Sequence, residues 1–262
     1  MSPSAALPLA GLRIVVTRPA AQADALCEAI AARGGVPVRF PVMAIEGLAD
    51  TSALRELAGR LEDYDVVFFV SPNAVRHALE VILAQRPWPP QLAVATVGKG
   101  SERALASHGL TTVIAPAEGY DSEAVLALPA FAPSAIDGKR VLVLRGDGGR
   151  ELFGDTLRAR GAQVDYLSCY RRTLPLVEPA VLRELAERGE IDALTLSSTE
   201  GVRNLLGLLG GTLPAAVAAL PLFASHERIA AAARQAGFAD VHPCAPGDDG
   251  LLGALERHFT VN

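Results

Sequence analysis

The sequence repeats itself, and this constrains its fold more than any other feature. Sliding the chain by 127 positions superposes Gly11 on Gly138, Arg13 on Arg140, Arg18 on Arg145, Arg33 on Arg160 and Gly34 on Gly161. In the same register Asp65 meets Asp192, Ser71 meets Ser198, Val75 meets Val202, Arg76 meets Arg203 and Leu79 meets Leu206. Self-similarity held in one register over such a span reads as a tandem duplication, so each copy must build a similar supersecondary assembly.

Each copy alternates short apolar runs with Ala- and Leu-rich helical patterns. Strands are predicted at Arg13–Thr17, Val36–Phe40, Val66–Val70, Ala93–Val97 and Thr112–Ala115 in the first copy. The second copy has them at Arg140–Leu144, Gln163–Leu167, Ala193–Ser197, Leu222–Ala224 and Asp240–His242. These runs lack polar alternation, as strands covered on both faces do. Helices are predicted at Gln22–Arg33, Ala74–Ala84, Ser101–His108, Glu151–Arg160, Thr199–Leu209 and Arg228–Ala236, several stopped by a glycine. The β-α-β-α order predicts an α/β fold: two flavodoxin-like parallel-sheet lobes of about five strands each, produced by the duplication. Pro41–Gly47 and Cys169–Pro175 interrupt the two copies at equivalent places and read as paired connectors, which predicts a cleft between the lobes.

Composition narrows the function classes. Half of the 262 residues are hydrophobic, enough for a substantial core. The formal charge is −5, so the basic excess of a nucleic-acid binder is absent. Cys27, Cys169 and Cys244 stand far apart without CxxC spacing, so no disulfide framework or structural zinc site is expected and a cytoplasmic location fits. The opening residues lack the charged and apolar segments of a secretory signal. Leu205–Phe223 is uncharged but carries Gly207, Gly210, Gly211, Pro214 and Pro221, so a helix, a turn and a buried strand are expected there rather than a membrane span.

In open parallel sheets, ligands bind beyond the C-terminal strand ends, where helix N-termini present free N–H groups. Here those ends carry Thr17 and Arg18; Ser71 and Asn73; Lys99 and Ser101; Arg145 and Arg150; Ser197, Ser198 and Thr199; then Ser225 and Arg228. Such a rim suits a ligand with several acidic groups, although Ser, Thr and Asn at helix starts also serve as N-caps. Arginine forks suit carboxylates, which singles out Arg18, Arg145 and Arg150. Phosphate-loop, dinucleotide and nucleophile-elbow motifs are missing, and the five histidines show no metal-ligand spacing; His242 and Cys244 are neighbours with nothing nearby to complete a site. No metal and no cofactor is expected. Of the four tyrosines, Tyr64 and Tyr166 read as packing residues. Tyr170 lies in a connector beside Arg171 and Arg172, where it reads either as a phenol near cations that can donate a proton to a leaving hydroxyl or as a half-buried aromatic hinge.

The chain resembles the uroporphyrinogen-III synthase family over nearly its whole length. The resemblance rests on Val16-Thr17-Arg18-Pro19, Phe69–Val75, Ala95–Gly98, Gly119–Glu123, Leu144–Glu151, Cys169–Thr173 and Leu196–Gly201, in that order and spacing. It implies two lobes joined by a two-stranded ladder, with residues 1–41 and 174–262 forming one lobe and 42–173 the other. The connectors at about 41–47 and 169–175 would be the ladder. It also implies an enzyme, a cyclising hydro-lyase that closes hydroxymethylbilane to uroporphyrinogen III with loss of water and inversion of ring D. Tyr170 matches the tyrosine proposed to assist loss of hydroxide. Ser71, Ser101, Ser197, Ser198 and Ser225 match strand-end positions near the substrate, a linear tetrapyrrole with eight carboxylates. Asn73 stands where some members have arginine, and Arg228 and Ile229 replace hydroxyl residues of others. The expected protein is a monomer without nucleic-acid or membrane partners, in transient contact with the preceding pathway enzyme. The alternatives are a cytosolic two-lobed protein that binds an anionic metabolite and a degenerate synthase-like interaction module.

Overall fold

The computed structural model describes residues 7–119, 121–149 and 151–260. Its strands are β1 (Arg13–Val16), β2 (Val36–Arg39), β3 (Ala44–Gly47), β4 (Val66–Phe69), β5 (Ala93–Thr96), β6 (Val113–Ile114), β7 (Arg140–Gly146), β8 (Gln163–Thr173), β9 (Ala193–Leu196), β10 (Leu222–Ala224) and β11 (Val241–Pro243). Between them run α1 (Ala20–Ala32), α2 (Ser52–Ala58), α3 (Pro72–Leu83), α4 (Lys99–Ser107), α5 (Ser122–Leu126), α6 (Pro133–Ile136), α7 (Leu152–Ala159), α8 (Pro179–Glu187), α9 (Thr199–Leu208), α10 (Ala215–Ala218), α11 (Glu227–Gln235) and α12 (Gly247–Thr260). The chain divides into two compact units, Met1–Ala44 with Thr173–Asn262, and Ile45–Arg172.

The first unit holds a five-stranded sheet in the order β11-β10-β9-β1-β2, with every pairing parallel. Its first strand–helix–strand unit, β1-α1-β2, comes from the first sequence repeat; β9, β10 and β11 come from the second. The other unit holds a six-stranded sheet, β3-β8-β7-β4-β5-β6. Here β7-α7-β8 comes from the second repeat and β4, β5 and β6 from the first. With β3 set aside, both sheets have the 2-1-3-4-5 order of a doubly wound fold. The two repeats have therefore exchanged their opening strand–helix–strand units.

Repeat-related residues form the same bonds across this exchange. The Arg13 N–H donates to Asp192 Oδ2 at 2.7 Å, and the Arg140 N–H to Asp65 Oδ2 at 2.9 Å. The Gly11 N–H donates to Gly34 O at 2.9 Å, and the Gly138 N–H to Gly161 O at 3.1 Å. Gly34 and Gly161 end α1 and α7 at φ +84° and +92°, a left-handed conformation that a Cβ would strain.

Side chains alternate between two apolar layers on either side of each sheet. On β1, Val15 faces one cluster while Ile14 and Val16 face another; on β4, Val67 and Phe69 oppose Phe68. Burial on both faces explains the uninterrupted apolar runs. Leu205–Phe223 forms the end of α9, a glycine turn, α10 and the start of β10, and among the described residues no helix is long and apolar enough to cross a membrane.

The structure corrects the sequence reading in two places. The strand expected to end at Leu167 continues as β8 to Thr173, so most of the second connector is sheet, with β3 beside it. In β8 the register shifts: Arg145 faces Ser168, but Gly146 faces Tyr170. This bulge makes Cys169 an extra residue, so consecutive side chains Cys169 and Tyr170 both enter the same core cluster. The sequence reading also passed over α12. Gly247, Gly250 and Gly253 weaken its helical signal, yet Leu251, Leu252 and Leu255 form a buried stripe.

Two buried hydroxyls stitch the exchanged strands together. Thr17 Oγ1 donates to Thr195 O at 2.6 Å, and Thr195 Oγ1 to Val15 O at 2.9 Å. Thr17→Val leaves a buried carbonyl without its donor and is expected to cost about 1–3 kcal/mol in urea unfolding. Ser197→Ala, at an exposed site, should stay within about 0.5 kcal/mol. Equal effects of the two substitutions would contradict the stitching role.

Candidate active site

In a doubly wound sheet the ligand crevice opens where strand order reverses. In the six-stranded unit that point lies between the C-terminal ends of β4 and β7, at Ser71 and at Arg145-Gly146. Ser71 caps α3: its Oγ accepts from the Ala74 N–H at 3.2 Å. The same Oγ lies 3.2 Å from the Tyr170 hydroxyl. Tyr170 is only 1% exposed. Its ring rests on Gly146, where a Cβ would come within 2.6 Å of it, and lies 5.9 Å from the His77 ring. Sequence reasoning left this tyrosine in a connector, as a proton donor or a half-buried hinge; the β8 bulge places it fully in the core, with Ser71 as its contact toward the rim.

Gly146 also lines a cavity of about 310 Å³ on the opposite face of the sheet end. Phe68, Val143 and Phe153 make it apolar, while Arg145, Arg172 and Ser122 add polar groups. The Arg145 guanidinium lies 4.1 Å from the Tyr166 ring centroid, and its Nη2 lies 3.3 Å from Glu151. Its Nη1 is buried without a hydrogen-bond partner. A guanidinium seated on an aromatic face with one unsatisfied donor is prepared for an anionic oxygen. The sequence reading named Arg172 only as a cation beside Tyr170, gave His77 and Ser122 no role at the site and assigned Tyr166 to packing; only the strand order brings them here. Arg150 lies outside the described residues, as does Tyr120.

Elsewhere in this unit, Lys99 pairs with Glu102 at 3.1 Å, and Asn73 Oδ1 accepts from Arg76 at 3.2 Å. Ser101 is 1% exposed, with a buried hydroxyl that has no partner.

In the five-stranded unit the reversal falls between β1 and β9. Thr17 is 3% exposed and its proton is held by Thr195, so it is a structural stitch rather than a ligand group. Arg18 is ion-paired to Asp248 in the first turn of α12 at 2.5 Å, a partner the sequence reading did not foresee. Ser198 caps α9 by accepting the Gly201 N–H at 2.9 Å, as its repeat mate Ser71 caps α3. Ser197 is exposed, Thr199 opens α9, Ser225 follows β10, and exposed Arg228 sits in the first turn of α11. This rim offers hydroxyls and helix N-termini to an anion.

Covalent chemistry finds little support. The cysteines are free and buried, and burial pushes the Cys169 thiol up to about 12. Burial likewise raises Cys27 and Cys244. Both lysines are ion-paired, Lys99 with Glu102 and Lys139 with Asp65 at 2.8 Å. Burial, followed by the Arg76 charge, lowers the His77 pKa and favours the neutral imidazole.

Fold and site together define an α/β protein of two doubly wound units, each with a polar rim at the C-terminal ends of its strands. The family model for uroporphyrinogen-III synthase HemD matches residues 24–253. Uroporphyrinogen-III synthase of Escherichia coli K12 is 31% identical over 248 residues, covering 94% of this chain and all of that protein, and the Salmonella typhimurium enzyme matches to the same extent. Among solved structures, a mutant uroporphyrinogen III synthase from the extreme thermophile Thermus thermophilus shares the fold at a TM-score of 0.63 and 20% identity, covering 96% of this chain and all of that one. The Helicobacter pylori enzyme does so at 0.58 and 12%, with 96% and 100% covered. The chain belongs to the uroporphyrinogen-III synthase family.

The buried thiols make a prediction. Native protein at pH 8 should resist a chromogenic thiol reagent, and Cys27, Cys169 and Cys244 should all react once it is unfolded in urea. Between pH 9 and 12 the folded state retains the Cys169 proton that the unfolded chain loses, so stability should fall as pH rises through that window. A native thiol reacting at the unfolded rate would contradict this.

Proposed function

We propose that this chain closes hydroxymethylbilane to uroporphyrinogen III, losing water and inverting ring D, with polar groups at the strand ends holding the substrate carboxylates. The observation that carries the catalytic reading is the contact between Ser71 and Tyr170 at the switch point, 3.2 Å apart. Departure of hydroxide from the hydroxymethyl carbon, driven by the pyrrole nitrogen lone pair, needs a proton on the leaving oxygen. Ser71 donates that proton and takes one from the Tyr170 hydroxyl behind it, so water leaves and an azafulvenium cation remains, balanced by the phenolate. Attack by the substituted carbon of ring D gives a spiro intermediate, which fragments and recloses at the other carbon. Loss of the ring proton at the final closure restores the phenol's proton.

Free bilane closes without inversion, so holding ring D matters more than raw acceleration. Arg145 and the apolar cavity floor suit a pyrrole ring carrying an acidic arm. The internal repeat and its matched bonds support a duplicated origin, with two flavodoxin-like lobes joined through β3 and β8. The protein acts as a cytoplasmic monomer, without metal or cofactor in the reaction, on a substrate received from the enzyme that makes the linear tetrapyrrole.

Tyr170→Phe and Ser71→Ala should each lower kcat by about 10²-fold. The double variant should be no worse than the weaker single variant, because both act on one proton path. Arg145→Met should raise KM about tenfold, equivalent to one charge-assisted bond, with little change in kcat. Unchanged turnover in Tyr170→Phe would reduce it to a packing residue. Bilane consumption no faster than the spontaneous rate in the wild-type chain would favour a binding or degenerate module.

A further inference from the structure

Outside the set of residues assigned to the rims, Asp240, His242 and His258 converge. Their ligand atoms all lie within 4.8 Å of one another. Asp240 and His242 flank the start of the edge strand β11, and His258 lies in the last turn of α12. The sequence reading found nothing to complete a site around His242, because His258 is distant in sequence and reaches it only through the packing of α12.

Both imidazoles are packed against aromatic rings. His242 stacks on Phe223 at 4.9 Å and 20°, and His258 meets Phe223 edge-on at 5.4 Å. The two imidazoles lie 4.6 Å apart at 66°, and Phe259 closes on His258 at 4.7 Å. The buried His242 Nε2 sits 2.8 Å from Asp240 Oδ1, an ion pair when the imidazole is protonated, but without hydrogen-bond geometry. A buried ring nitrogen beside a carboxylate and a second imidazole, without hydrogen-bond geometry to either, has a lone pair that a metal cation can take up.

We propose that Asp240, His242 and His258 bind a divalent transition-metal ion, Zn²⁺ being the best match. Two imidazoles and a carboxylate with one open position form a donor set that zinc accepts, whereas magnesium and calcium favour oxygen ligands. Tetrahedral bonds of about 2.0–2.2 Å place ligand atoms roughly 3.4 Å apart, so side-chain rotations of about an ångström complete the site. The ion would tie the C-terminal end of α12 to β11. The opposite end of α12 carries Asp248, the partner of Arg18, so the ion would act on stability and not on the chemistry.

The test is calorimetric titration of metal-stripped, tag-free protein with Zn²⁺ and with Mg²⁺, alongside thermal unfolding. Expected are saturable binding of Zn²⁺ only, a raised unfolding temperature, and at least tenfold weaker binding in both His258→Gln and Asp240→Asn. Cys244→Ser should bind as the wild type does, with circular dichroism confirming that every variant is folded. Absence of saturable Zn²⁺ binding, or binding lost in Cys244→Ser but kept in the other two variants, would overturn the assignment.

Discussion

The structure depends on one constraint: β1 is a central strand. It pairs with β2 on one edge and with β9 on the other, in parallel register from Ile14 opposite Ala193. Its partner across the reversal lies about 180 positions away, as the bond from Thr195 Oγ1 to Val15 O illustrates. Folding must therefore bring the opening segment to strands made almost at the end of the chain, a high-contact-order event. Its mirror image, β7 beside β4, builds the second sheet. Each exchange creates a switch point, and each switch point creates a rim.

Much of this was legible in the amino-acid order. Doubly covered strands read as plain apolar runs, and the repeat aligned Ser71 with Ser198 before either was known to cap a helix. The exchange itself left a trace in the Asp65 and Asp192 pair, whose partners are strand-opening N–H groups of the opposite repeat. Other features left none. A bulge has no composition of its own, so the continuation of β8 and the burial of Tyr170 were hidden. Thr17 looks like any rim hydroxyl until Thr195 is seen beneath it. Arg18 looks like a free cation until α12, obscured by its glycines, delivers Asp248. Residues brought together by packing alone, such as Tyr166 under Arg145 or His258 against His242, have no local signal.

The chemistry follows from the same arrangement. Among the described residues the cysteine thiols are buried and both lysines are ion-paired, which accords with the proposed reliance on placement and modest proton donation. A buried phenol gains a route to the rim because Ser71 must stand at the N-cap of α3, just beyond the end of a core strand. On the other face of the sheet, at the end of β7, Arg145 is stacked on Tyr166 and keeps one donor unsatisfied. At the strand ends of each unit, hydroxyls, guanidinium groups and helix N-termini are spread over several positions, and no single contact dominates.

The identity of the product tests most directly whether these rims control placement. Purified wild-type chain would be supplied with hydroxymethylbilane and the oxidised porphyrins resolved by chromatography. The III isomer should dominate, since only a held ring D can join in reverse. A product containing the symmetric I isomer alone, the outcome of closure in free solution, would contradict the account.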